Sequence, residues 1–230
     1  MKRNEFIKKT AALTVIGISS PLISKAGKFK SESTYDKLIN QIGFNHIPNK
    51  EIKTMNTVIH KASTRGHADH GWLIANHSFS FANYYNPERT NFGVLRVLND
   101  DSIAPKRGFG THPHDNMEII TIPLKGVLKH KDNMGDEWIP VLPGEVQVMS
   151  AGTGVQHSEI NGSVDEHLSL FQIWIFSDKQ NVTPRYDQKK FEANERKNKL
   201  QTLVTSIDER HEGSLKIHQD AIISRIDLSK

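Results

Sequence analysis

The chain has 230 residues, with 30 Lys and Arg against 26 Asp and Glu, 36% hydrophobic residues, a mean hydropathy of −0.52 and no cysteine. This composition is that of a soluble globular protein and excludes disordered, collagenous and multi-span membrane classes. Without cysteine there is no disulfide framework, no thiolate nucleophile and no cysteine-ligated zinc or iron–sulfur centre, so any metal must rest on His and carboxylates. The formal excess of +4 lies within residues 1–26, where Lys2, Arg3, Lys8, Lys9 and Lys25 outnumber Glu5. The balanced remainder lacks the clustered cations that attract phosphates, so no nucleic-acid partner is expected.

Along the chain, the basic start Met1-Lys2-Arg3 leads into the apolar run Ala11–Ile18, and Ser24-Lys25-Ala26 offers a small-x-small cleavage site. Residues 1–26 therefore read as an export signal, too short in its apolar part to remain as a membrane span, so the mature form has no membrane partner. Arg3-Asn4-Glu5-Phe6-Ile7-Lys8 is similar to a twin-arginine signal, with Asn4 where the second Arg belongs. A periplasmic protein exported by a degenerate twin-arginine or a general secretory signal is expected; the alternative is a cytoplasmic protein with an amphipathic N-terminal helix. Residues 27–56 read as a linker with one short helix at Tyr35–Ile42.

From Thr57 onward, short β-like runs alternate with turn residues and little repeats at helical spacing. Strands are predicted at Thr57–Lys61, Gly93–Leu98, Glu118–Leu124, Val127–His130, Trp138–Val141, Glu145–Met149, Gly154–Glu159 and Leu168–Phe176, which suggests a barrel or jelly roll. Asn133-Met134-Gly135-Asp136 reads as a hairpin loop. The stretch Phe176–Lys199 carries charges of both signs, as a solvated connection between lobes does, and Gln201–Ser206 and Leu215–Ile226 read as further strands.

The chemistry concentrates in Gly110-Thr111-His112-Pro113-His114-Asp115-Asn116-Met117-Glu118, followed 43 residues after His114 by His157-Ser158-Glu159. Pro113 keeps His112 extended, and in an extended chain His112 and His114 share a face, as do His157 and Glu159. Two adjacent strands can thus offer three imidazoles and one carboxylate, a set suited to a divalent first-row metal with open positions, whether iron, copper, manganese, nickel, cobalt or zinc. Gly152-Thr153-Gly154 marks a tight turn that aims His157. His60, His67, His70 and His77 form a second, irregularly spaced group. Phe79, Phe81, Tyr84 and Tyr85 suit core packing or the wall of an aromatic ligand's pocket, as do Trp72, Trp138 and Trp174.

These residues resemble the cupin superfamily and, within it, the pirin family with its bacterial quercetinase-like members. The first cupin motif is matched by His112, His114, Glu118 and Gly126, and the second by Gly154, His157 and Asn161. Gly71-Trp72-Leu73, the run from His77 to Tyr85, Thr111-His112-Pro113-His114 and the run from Met149 to Glu159 are pirin-like. The resemblance implies an all-β cupin β-barrel of the bicupin type, with His112, His114, His157 and Glu159 as metal ligands and iron as the metal. It places Glu118 outside the ligand set, as an orienting or salt-bridged group. It further implies a dioxygenase of the quercetin 2,3-dioxygenase type, in which Glu159, as both ligand and proton acceptor, takes the proton of a flavonol hydroxyl and dioxygen attacks the metal-bound substrate. The alternative is a non-catalytic, metal-binding, redox-responsive interaction protein.

The expected organisation is an export signal at 1–26, a linker at 27–56, a metal-binding cupin domain at 57–178, an inter-lobe linker at 179–199 and a truncated second cupin lobe from 200 to 230. About 30 residues after Lys199 are too few to close a second barrel, so an exposed C-terminal edge is expected to need a covering element or a second copy of the chain, giving a homo-oligomer.

Overall fold

The computed structural model describes residues 58–135, 137–209 and 211–229, and of residues 12–16 the backbone path. In chain order the strands are β1 (Ala12–Ile16), β2 (Gly66–Asp69), β3 (Leu73–His77), β4 (Leu95–Ile103), β5 (Gly108–His114), β6 (Met117–Lys125), β7 (Leu128–Asp132) and β8 (Ile139–Val141). They continue with β9 (Glu145–Ser150), β10 (Val155–Asn161), β11 (Leu168–Phe176), β12 (Arg185–Lys190), β13 (Gln201–Ser206), β14 (Leu215–Ile217) and β15 (Ile222–Ile226). Single 3-10 turns at Ala62–Thr64 and Ala193–Arg196 are the helical elements among the described residues.

Three sheets result. Seven strands in the order β12-β9-β6-β11-β4-β3-β2 face four in the order β5-β10-β7-β8, and a further sheet has the order β1-β15-β13-β14. Between the first two sheets, Leu73, Ala75, Ile103, Leu168 and Leu170 pack against Leu128 and Val141 at one end. Ile119, Met149 and Val155 pack together at the other. The reverse face of the seven-stranded sheet, with Ile120, Ile122, Val146, Val148, Ile173 and Ile175, is covered by Leu203, Val204, Leu215, Ile217 and Ile223 of the third sheet. Burying an aliphatic side chain of this kind contributes about 1.5–3 kcal/mol, so both faces of the central sheet are stabilised.

The interior is apolar only at its ends. Across the middle of the seven-stranded sheet, His77, Asn99, Gln172, Thr121 and Gln147 stand opposite one another on β3, β4, β11, β6 and β9, and all are buried. Burying such a row costs free energy unless each group is hydrogen-bonded, and this row sits beneath the functional side chains.

Several sequence expectations change. Residues 58–61 form no strand, Thr57 lies outside the described residues, and Val58 and Ile59 are exposed, because strand propensity needs a packing partner to act on. β2 and β3 arise instead at residues 66–77, where no strand was expected. Within the stretch 179–199, expected as an inter-lobe linker, Arg185–Lys190 joins the seven-stranded sheet at its edge beside β9. Its polar sequence lacks the alternation that marks a half-buried strand, as an edge strand can. The hairpin after β7 is closed by Asp132 Oδ1, which accepts the N–H groups of Met134 and Gly135; Asp136 lies outside the described residues.

Ala12–Ile16, part of the segment read as an export signal, pairs antiparallel with β15, Ala12 opposite Ile226 and Ile16 opposite Ile222. It covers the edge that was expected to stay exposed. The rest of residues 1–26, and the linker at 27–56 with its expected helix at Tyr35–Ile42, lie outside the described residues.

Candidate metal centre

β5 and β10 run antiparallel, with His112 opposite His157 and Val155 opposite His114. The register shifts between His157 and Glu159: His157 faces His112, but Glu159 faces Phe109, so β5 carries one extra residue there. This β-bulge bends β5 and turns Phe109, His112 and His114 all toward the interior, although strict alternation would send Phe109 outward. β5 also passes close to β10 at Gly108, where a Cβ would collide with the backbone of Glu159 and Ile160. The turn before β10 uses Gly152 and Gly154, both in the positive-φ region at 47° and 135°, as the Gly152-Thr153-Gly154 pattern suggested.

The three imidazoles converge. Ring centroids are 4.9 Å apart for His112 and His114, 4.4 Å for His112 and His157, and 4.9 Å for His114 and His157. One nitrogen of each lies within 4.8 Å of the others. His112 Nδ1 lies 2.8 Å from the carbonyl of Gly110; a carbonyl only accepts, so Nδ1 carries the proton and Nε2 is left with its lone pair. Nε2 of His114 and Nε2 of His157 are buried without a hydrogen-bond partner. Unpartnered buried nitrogens that face one another are costly unless a cation sits between them, so the donor set fits a metal ion. Burial, helped by the neighbouring imidazoles, lowers His157 to a pKa of about 2 and His114 to about 4. Both are therefore neutral at physiological pH, and their lone pairs need not be freed of protons first.

Glu159 is buried beside His157, and these two form a second compact group with His130. Its carboxyl accepts from Gln172 Nε2 at 2.8 Å and lies 3.3 Å from Thr121 Oγ1, while Thr121 Oγ1 is 2.9 Å from Gln172 Oε1. A hydroxyl has one proton. If Thr121 donates it to Gln172, the contact with Glu159 is made by a proton on the carboxyl. Burial raises the Glu159 pKa to about 7 against those hydrogen bonds, in keeping with that arrangement. The four sequence-predicted residues thus meet in one interior, with His112, His114 and His157 as one group and Glu159 adjoining through His157.

A cavity of about 400 Å³ opens onto the imidazoles, in the size range of small-ligand pockets. Trp72, Phe81, Phe109 and Trp174 wall it with aromatic rings, and Asp101 and Gln172 add polar groups.

A family model described as Pirin matches residues 57–175. The chain belongs to the pirin family. It is 52% identical over 173 residues to a quercetin 2,3-dioxygenase of Escherichia coli (strain K12), covering 75% of this chain and 72% of the relative. It is 46% identical over 156 residues to a pirin-like protein of Caulobacter vibrioides, covering 68% and 66%. Among solved structures, bacterial pirin YhhW from Escherichia coli in complex with nickel(II) is 49% identical, with a TM-score of 0.67 over 72% of this chain and 69% of that one.

In this pirin a third buried histidine, which the sequence reading did not single out, stands behind His157. His130 is stacked on Tyr186 with centroids 4.8 Å apart; its Nδ1 lies 3.5 Å from His157 Nδ1 and 3.2 Å from Gln147 Nε2, and its Nε2 lies 2.8 Å from Asp132 Oδ2. These contacts agree on one set of tautomers. His157 Nδ1–H and the Gln147 amide point at the bare Nδ1 of His130, whose Nε2–H donates to Asp132, so His157 Nε2 is kept free. Groups that orient a ligating imidazole typically change metal affinity about 10–100-fold when removed. A His130→Phe variant is expected to weaken nickel(II) binding by about that factor, measured by competition with a chelating dye; unchanged affinity would remove His130 from this role.

Glu118, which completes the general cupin motif, lies on the other face of β6. It shares that face with Ile120 and Ile122 of the reverse core and accepts from Ser150 Oγ at 2.6 Å, so it does not orient a ligand imidazole. His77 Nδ1 bonds Asn99 Oδ1 at 3.0 Å, and His67 Nδ1 bonds Asn76 Oδ1 at 3.1 Å. The metal-capable groups of three or more among the described residues include none of His60, His67, His70 and His77. Phe79 packs into the reverse core, Tyr84 lies over His77, and Tyr85 and Trp138 are exposed, whereas Phe81, Trp72 and Trp174 line the cavity.

Proposed function

We propose that this pirin is a metal-dependent dioxygenase of flavonols such as quercetin, with His112, His114 and His157 holding the metal and Glu159 completing the set and accepting the substrate's proton. The observation that carries the reading is the meeting of unpartnered imidazole nitrogens with a protonatable buried carboxyl inside an aromatic-walled cavity. A divalent metal bound there supplies a Lewis-acidic centre that makes an enolic hydroxyl more acidic and lets it meet dioxygen. The chain's own residues do the rest. Trp72, Phe81, Phe109 and Trp174 exclude water and stack the rings, Gln172 and Thr121 fix the Glu159 carboxyl, and Glu159 holds the proton that leaves the 3-hydroxyl.

Iron is the metal of this proposal. The nitrogen-rich donor set accepts iron and nickel alike, and such sites bind nickel(II) more tightly than iron(II), so nickel in the Escherichia coli relative is compatible with iron here. Elemental analysis of native protein together with quercetin bleaching and carbon monoxide release under oxygen tests the reading. Metal-loaded protein that does neither would leave the metal-binding, non-catalytic reading in its place.

We further infer that the working protein is periplasmic. The basic, then apolar, then small-residue pattern of residues 1–26 supports this, and removal of that segment would uncover the edge of β15. A recovered N terminus at Gly27 agrees with export; an intact segment overturns it.

A further inference from the structure

The dioxygenase reading uses Glu159 and leaves a second buried carboxyl of the same cavity without a task. Asp101 sits on β4, flanked in register by Ala75 on β3 and Leu170 on β11, neither of which has a side chain that can hydrogen-bond. The residue is 5% exposed, and its Oδ1 is buried without a hydrogen-bond partner. The polar groups one row away are satisfied: Asn99 meets His77 at 3.0 Å, and Gln172 donates to Glu159 at 2.8 Å. An unpartnered carboxyl oxygen in a protein interior is destabilising, so the position contributes nothing evident to folding. It does line the cavity that holds the imidazoles, and it does so from the opposite sheet: His112, His114 and His157 project from β5 and β10, Asp101 from β4. A ligand that fills the space between the sheets meets the imidazoles at one end and this carboxyl at another. Burial, with Asp100 and Glu159 adding to it, brings its pKa to about 7, so near neutrality it is able to accept or donate.

We propose that Asp101 is a specificity residue: its carboxyl hydrogen-bonds a ring hydroxyl of the aromatic ligand other than the one presented to the imidazoles, so that the cavity selects polyhydroxylated substrates. This rests on the proposed aromatic substrate, but not on its turnover. A hydrogen bond to a carboxyl group typically changes affinity by about tenfold or more.

The test uses full-length protein loaded with nickel(II), with binding of quercetin and of 3-hydroxyflavone read by quenching of tryptophan fluorescence. The parent chain is expected to bind quercetin at least about tenfold more tightly than 3-hydroxyflavone. Asp101→Ala is expected to erase that preference by weakening quercetin alone, with metal content unchanged, and Asp101→Asn, which still hydrogen-bonds, is expected to keep part of it. Because the carboxyl is unpartnered, Asp101→Leu is expected to raise the thermal midpoint while also erasing the preference, which a structural role would not produce. Should Asp101→Ala fail to fold, Asp101→Leu and Asp101→Asn carry the comparison. A preference that survives in the variants, affinity lost equally for both ligands, or a parent chain that binds both alike or neither overturns the proposal. Preferential binding without carbon monoxide release would refute the dioxygenase reading alone; carbon monoxide release with an unaltered preference in Asp101→Ala would refute this one alone.

Discussion

A His112→Ala variant is expected to fold and to retain less than about a tenth of the metal that the parent chain binds, with oxygen uptake on quercetin falling in proportion. His112 is the suitable position because it is only half-buried and its side-chain hydrogen bond goes to the Gly110 carbonyl two residues away, so its loss leaves no large interior void. Its loss reduces three facing imidazoles to two, and the effect on affinity should exceed the roughly 10–100-fold expected of the groups that merely orient a ligand. His157→Ala should also lose the metal, but it empties a buried position against His130 and His114 and so adds a stability defect to the binding defect. Metal analysis separates the outcomes. Equal metal in His112→Ala and the parent chain removes His112 from the site, and metal loss only in unfolded material points to packing instead.

The part of this centre that is legible in the sequence is the part that alternation reveals. His112 and His114 about Pro113, and His157 before Glu159, are two-residue repeats on extended chain, and the structure brings all four into one interior. The bulge in β5 was not legible. One extra residue between Phe109 and His112 resets the alternation and sets Glu159 opposite Phe109, and no residue type in Phe109-Gly110-Thr111 demands it. The supporting polar row could have been found. Along β4 the inward positions read Val97, Asn99, Asp101, Ile103, and along β11 they read Leu168, Leu170, Gln172, Trp174, so polar residues interrupt an apolar alternation at matching depth. A lone Asn or Gln in a strand is unremarkable. Their alignment into one row becomes visible only once the register is known. His130 escaped for a similar reason, because Lys129-His130-Lys131-Asp132 reads as a polar strand while burial alternates beneath it. β12 and β2 were missed because edge strands need no apolar stripe, and Ala12–Ile16 has the same apolar composition whether it is the core of an export signal or an added strand.

Glu159→Gln is expected to lower kcat/KM by about 10²–10⁴-fold, the usual contribution of a positioned proton acceptor, while keeping the fold. An amide has the shape of the carboxyl and can accept from Gln172 Nε2 while donating to Thr121 Oγ1, so the hydrogen-bonded network survives. The pH dependence of the metal-free protein gives the sign. Burial raises Glu159 from 4.5 to about 7, so between those values the folded chain holds a proton that the unfolded chain has released, and stability falls as pH rises. The contribution is fully present below pH 4.5 and gone above about 7, a loss of about 3 kcal/mol at 1.36 kcal/mol per pKa unit. His157, lowered to about 2, and His114, lowered to about 4, act oppositely: the unfolded chain binds protons below 6.5 that the folded chain refuses, so they favour folding as pH rises toward 6.5. Substituting Glu159 removes the first effect and leaves the second. Metal-free Glu159→Gln should therefore gain thermal stability relative to the parent chain at pH 8 but not at pH 4. Metal uptake by the parent chain at pH 6 should also release about one proton that the variant does not release, because a cation beside the carboxyl must displace it. Equal proton release by the two proteins would show that Glu159 is neither ligand nor proton carrier.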